Sequence, residues 1–185
     1  MPDVDAAYAL IARLYEPDHP SDARPDDAMT IAAALIELGE RRSWASVWWS
    51  YGALHHDLSD EALARALELL EGVTGPDEAR AAALMLRAEI AFQQDVYAQT
   101  SHSPDEQRRL LEAAAALVPG WPGLHIRLAR AYHDAADDRA AAEHAARALE
   151  LRRPSDDPFD SAISGHNLDR EYLTSEAERL RQPRA

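Results

Sequence analysis

Carboxylates and histidines are the side chains of this 185-residue chain that could do chemistry, because it contains neither cysteine nor lysine. Without cysteine there are no disulfides, thiolate nucleophiles or thiolate metal sites. Without lysine there is no Schiff base, no pyridoxal-phosphate anchor and no Walker A phosphate loop. What is left includes two acidic pairs, Glu37-x-x-Glu40 and Asp57-x-x-Asp60. Carboxylates three residues apart share one helix face, and two such pairs on facing helices can hold Mg²⁺. Among the eight histidines, His55 and His56 are adjacent and point to different faces. His133 and Asp137 lie four apart, with Asp137 in an expected turn. No His-x-x-x-His, HExxH or GxSxG occurs, so neither a zinc centre nor a seryl hydrolase elbow is expected. The reading expects no cofactor and no metal.

The acidic pairs define the enzymatic alternative. All-α metal-dependent nucleotide pyrophosphohydrolases carry a similar acidic pattern across two helices. This chain departs from that pattern. Its second pair consists of aspartates, it falls at an expected helix break, and no lysine is present to assist at phosphates. Paired acids on solvated helix faces are common, and the preferred reading is non-enzymatic.

The elements that must position these residues are helices. Alanine and leucine dominate while isoleucine, valine and phenylalanine are sparse, which favours helix over strand. Helices are expected near 3–15, 26–39, 43–56, 59–71, 76–96, 104–118, 121–135, 138–152 and 157–181. Breakers separate them: Pro17, Pro20, Gly39, Gly72, Gly75-Pro76, Pro119-Gly120 and Pro122-Gly123. Asp26-Asp27, Ser59 and Ser103 are N-cap candidates, and Pro104 suits a first helical position. Residues 16–25 are expected as a mobile loop and 182–185 as a loose tail. Apolar runs such as Ile31–Ile36 are too short to cross a membrane. The acidic N-terminus does not read as a secretory signal, and a cytoplasmic location is expected.

Residues 121–154 carry the most specific pattern. Leu128-Ala129-x-x-Tyr132 is followed by Ala141-x-x-x-Ala145-x-x-Ala148 and then Pro154. This resembles a tetratricopeptide repeat, a helix–turn–helix unit of about 34 residues that must stack on neighbours to bury its apolar face. Trp121 lies four residues before the family's tryptophan position, which His125 occupies. Ala145 stands where a large aromatic is common, and Pro154 falls one residue late. Residues 104–119, with Leu111, Ala114 and Pro119, resemble the second helix of a preceding unit whose first helix holds Ala88. Residues 43–74 resemble a more degenerate unit.

The resemblance implies an all-α fold, a right-handed superhelix of stacked antiparallel helix pairs with about nine helices. It implies one domain over 1–185, with N-terminal helices in 1–42, three repeat-like pairs in 43–154 and a capping helix in 155–181. Ala129 and Ala148 would sit where helix backbones approach closely. The family's first helices line a concave groove. Mapped onto this chain, that groove takes Trp44, Tyr51 and His55 from the first unit, Met85, Glu89 and Gln93 from the second, and Ile126, Arg130 and His133 from the third. The implied function is a protein- or peptide-binding scaffold. Arg130 replaces the asparagine of the family's carboxylate clamp, and without lysine that clamp is not expected here.

Charge narrows the partner. The formal net charge is −14, which argues against nucleic acid and anionic membranes. Only 121–154 is not acidic, with six arginines against five carboxylates. Trp44, Trp48, Tyr51 and His55 recur along one helical face, a pattern that fits a core or an aromatic anchor. The expected ligand is a protein segment with a carboxylate near one end and an apolar anchor toward the other. Self-association into a homo-oligomer stays open.

Overall fold

The computed structural model describes residues 4–14, 24–38, 44–57, 59–98, 104–151 and 170–180. The described residues are helical with short turns and contain no strand. Among the described residues there are nine α-helices: α1 Val4–Leu14, α2 Arg24–Glu37, α3 Trp44–Gly52, α4 Asp60–Glu71, α5 Asp77–Ala98, α6 Pro104–Leu117, α7 Pro122–Asp134, α8 Asp138–Glu150 and α9 Arg170–Leu180. A π-helical turn, Ala53–Asp57, extends α3. The expected all-α class is the observed one. Two boundaries differ in an instructive way. Helix α2 starts at Arg24, so Asp26 and Asp27 sit in its first turn, where their charge meets the positive end of the helix dipole. The last expected helix, 157–181, is described only from Arg170 onward. Ser103, most of the expected loop at 16–25 and the tail at 182–185 lie outside the described residues. Among the described residues no helix is long and apolar enough to cross a membrane.

The chain divides into two compact units, Met1–Ile90 and Ala91–Ala185, with the division inside α5. In the first unit, α3 packs against both α2 and α4. Val47, Trp48 and Tyr51 of α3, with Ala53 and Leu54 of the π-helical turn, form much of the core. The backbone N–H of Ala45 would be an orphan donor in the first turn of α3. It donates instead to the Tyr8 hydroxyl of α1 at 3.1 Å. Ser50 is fully buried and donates from Oγ to the Ala66 carbonyl of α4 at 3.4 Å. The Trp48 and Tyr51 rings meet edge to face at 6.0 Å. The Arg65 guanidinium covers the Trp49 ring at 4.8 Å. Ser59 caps α4, its hydroxyl accepting from the Ala62 N–H at 3.2 Å, as the sequence suggests.

In the second unit α7 is the central helix, packed on α6, α8 and α9. Leu124, Ile126, Leu128, Ala129 and Ala131 are all buried, so its burial extends beyond a single stripe. Pro122 opens it at a position where a missing N–H costs nothing. It ends in a Schellman motif. Asp137 N–H donates to the Tyr132 carbonyl at 2.9 Å and Ala136 N–H to that of His133 at 3.0 Å. Closing that motif puts Ala136 at φ 60°, a left-handed conformation better suited to glycine. Asp137 then caps α8, its carboxylate accepting from Ala140 N–H at 3.1 Å. Along α8 the buried residues are Ala141, Ala145 and Ala148, a small-residue seam at helical spacing.

Candidate functional site

The seam between α7 and α8 ends in an apolar socket. Ile126, Ala129, Ala145, Ala148 and Leu180 form one buried cluster, with Leu149 packed against it. Four of these belong to α7 and α8, and Leu180 enters from α9. Alanines at the seam allow the two helices to approach and leave room for one larger side chain from outside the pair. Beside the socket, Arg130 donates from Nε to Glu176 Oε1 at 2.9 Å. Arg179, three residues along α9, donates to both oxygens of the same carboxylate at 2.8 and 2.9 Å. Glu176 is 12% exposed and Arg130 37% exposed. Hydrogen bonds from Arg179 and then Arg130 hold the Glu176 carboxyl down at about 2, against the opposing effect of burial. The α7–α8 pair therefore grips α9 at two residues four apart, one apolar and one acidic.

A second arrangement lies on another side of α7, toward α6 and α8. His125 is buried, and its Nε2 lies 3.0 Å from the Pro119 carbonyl. A carbonyl only accepts, so Nε2 carries the proton and Nδ1 presents a lone pair. His125 Nδ1 is 3.0 Å from His144 Nδ1, so in the neutral pair His144 is the donor. The two rings stack at 5.3 Å, and Tyr132 stacks on the other side of His144 at 5.4 Å. Tyr132 donates its hydroxyl to Glu112 Oε1 of α6 at 2.5 Å, and Arg108 lies over its ring at 5.6 Å. Burial lowers the His125 pKa, with Arg147 adding to the effect and the Pro119 bond opposing it. Burial and the neighbouring His125 lower that of His144, against Glu143 and Glu112. The Glu112 hydrogen bond pushes the Tyr132 hydroxyl up to about 12. This column ties α6, α7 and α8 together through polar contacts.

The structure distributes the residues expected in the groove as follows. Ile126 and Arg130 share the face that α9 covers. His133 is half-buried across the α7–α8 turn, with Nδ1 3.5 Å from Asp138 Oδ1. Met85 and Ile126, each 2% exposed, are core residues. Glu89 and Gln93 are half-buried on α5. Tyr51 is buried, its ring 4.4 Å from that of half-buried His55 on the π turn. Trp44 is half-buried at the first position of α3, whereas Trp48 and Trp49 are core. Of the acidic pairs, Glu37 and Asp60 are exposed at helix ends and Glu40 lies outside the described residues. Among the described residues no three histidine or acidic side chains are placed to hold a metal ion.

Sequence reasoning missed Glu176, Leu180, His144 and Glu112. Glu176 and Leu180 carry a faint signal, an acid and a leucine four apart on an amphipathic helix. His125 was conspicuous as a departure from the repeat pattern, but nothing in the sequence couples it to His144. Compared with known proteins, the chain matches no family model and no curated sequence.

Proposed function

We propose that this chain is a non-enzymatic, tetratricopeptide-like helical scaffold that binds a helical segment of another protein. What carries the reading is the way the α7–α8 pair receives a third helix. An apolar socket lined by Ile126, Ala129, Ala145 and Ala148 takes one leucine. Arg130, beside it, takes one carboxylate. A segment from another chain that offers the same two groups would be held by the same contacts. Arginine suits the polar half because its planar fork is pre-organised for carboxylate. The pairing of α6 with α7 and of α7 with α8, and the alanine seam, agree with what the repeat resemblance implies. Trp44 is the aromatic that the first unit would offer to a partner, because it keeps partial exposure where Trp48 and Trp49 do not.

The test is a selection of helical peptides from a displayed library against the purified chain. Selected peptides are then titrated by fluorescence anisotropy into wild type and Arg130→Ala. The expected result is enrichment of an acid and a leucine or methionine four apart, with binding weakened about tenfold in the variant, near 1.4 kcal/mol. Failure to select any peptide, or peptides with no shared acidic position, would sink the reading.

A further inference from the structure

We propose that α9 is a displaceable internal occupant of this partner face, and that the partner is an acidic amphipathic helix repeating its Glu-x-x-x-Leu spacing. The inference rests on the scaffold reading and names both the ligand chemistry and its regulation. Helix α9 is seated on the face and shows what the face selects. Leu180 is fully buried in the socket, and the Glu176 carboxylate is almost wholly enclosed between Arg130 and Arg179. Ser175, Glu178 and Arg179 remain exposed on the same helix. Leu180 and Glu176 thus supply one apolar and one acidic contact four residues apart.

The α7–α8 pair also has contacts of its own that do not involve α9. Ala129, Ala141, Ala145 and Ala148 are buried along the α7–α8 seam, and the Schellman turn with its Asp137 cap fixes how the two helices meet. Helix α9 is the reverse case. Eleven residues form at best a marginal helix in water, so its order depends on docking. A segment of the same chain competes intramolecularly for the face, and a partner must outbid it. Charge sets the sign of that partner. The segment 121–154 has six arginines against five carboxylates in a chain of net charge −14. An acidic helix is thus drawn to this part of the molecule and repelled elsewhere. A basic helix would place its cation against Arg130.

The experiment uses the full-length chain and a fluorescent synthetic peptide of residues 168–182. Wild type, the double variant Glu176→Ala/Leu180→Ala, and that variant with Arg130→Ala added are titrated with the peptide. The double variant should bind it at least about tenfold more tightly than wild type, because its own α9 no longer competes. Adding Arg130→Ala should remove about tenfold of that gain. A peptide carrying Lys at the Glu176 position should not bind. Circular dichroism monitors folding, and if the double variant fails to fold, Glu176→Gln alone is read in its place with the same expected direction. Equal affinity in wild type and the double variant, or indifference to Arg130→Ala, overturns displacement. So does a concentration-dependent dimer of wild type that requires Leu180, which would assign the face to α9 of a second copy. Library-selected peptides that bind alike whether or not α9 is disabled would overturn displacement while the scaffold reading stands. Failure to select any peptide, with the residue 168–182 peptide still captured by the double variant, would sink the scaffold reading and leave α9 an exchangeable cap.

Discussion

Acidifying from pH 7.5 to 5.5 should weaken the second unit through the His125–His144 pair, and His144→Gln should remove about half of that sensitivity. In the neutral pair the proton positions are determined. Pro119 forces the His125 proton onto Nε2, so His144 donates from Nδ1 to His125 Nδ1 across 3.0 Å. Charging both rings would set two N–H groups against each other across that distance. Both pKa values are lowered, chiefly by burial. The unfolded chain therefore takes up protons near 6.5 more readily than the folded one. Stability is complete above that pH and is lost as pH falls below it. One histidine that stays neutral when folded and charges when unfolded loses at most about 1.4 kcal/mol per pH unit, so two lose at most about 2.7 kcal/mol. His144 is half-buried, so these are upper limits. Urea unfolding followed by circular dichroism at pH 7.5, 6.5 and 5.5 gives the slope directly. Carboxylates contribute the same background to wild type and to His144→Gln, so the difference in slope isolates the pair. Identical slopes in the two proteins would show that the pair does not resist protonation, and the tautomer argument would fail with it.

Three further perturbations examine the packing of the second unit. Ala129→Leu or Ala148→Leu should overpack the α7–α8 seam and cost about 1–3 kcal/mol in chemical unfolding, because both alanines are buried in the cluster around Ile126; an unchanged midpoint would place them outside a tight contact. Ala136→Gly should stabilise by roughly 0.5–1 kcal/mol, since glycine adopts φ 60° without the steric cost alanine bears, and a lower thermal midpoint would contradict the Schellman assignment. Leu180→Ala should speed amide exchange across 170–180 and leave α1–α4 unchanged, because Leu180 is the α9 residue of the buried cluster with α7 and α8. The Glu176 contact adds a pH signature of the opposite kind to the histidines. Its carboxyl is held at about 2 against an ordinary 4.5, so its stabilisation is present above 4.5 and is lost as pH falls toward 2. The Arg179 share lies within α9, so Glu176→Gln should shift only the part due to Arg130 when exchange in α9 is followed across that range.

Local features determined where the helices lie. Alanine-rich stretches bounded by proline and glycine favour helix, and Ser59 and Pro104 start two of them by chemistry that acts within one turn. The alanine spacing at Ala129, Ala141, Ala145 and Ala148 likewise announced a close helix pair, because only small residues allow backbones to approach. Which faces remained open was decided by tertiary structure. Met85 and Ile126 sit at positions that the repeat resemblance assigns to a groove, yet both are buried, since a sequence pattern gives the angle of a side chain and not what covers it. Arg130 is legible as a cation on α7, but its partner Glu176 lies 46 residues away on another helix. The same holds for His125 and His144, 19 residues apart on neighbouring helices. The π turn at Ala53–Asp57 had no local signal. Contacts of this kind depend on how whole helices pack, and packing is settled by the sum of many small surface matches. No motif of a few residues encodes that sum, which is why the sequence located the α7–α8 pair and only the fold showed what that pair holds.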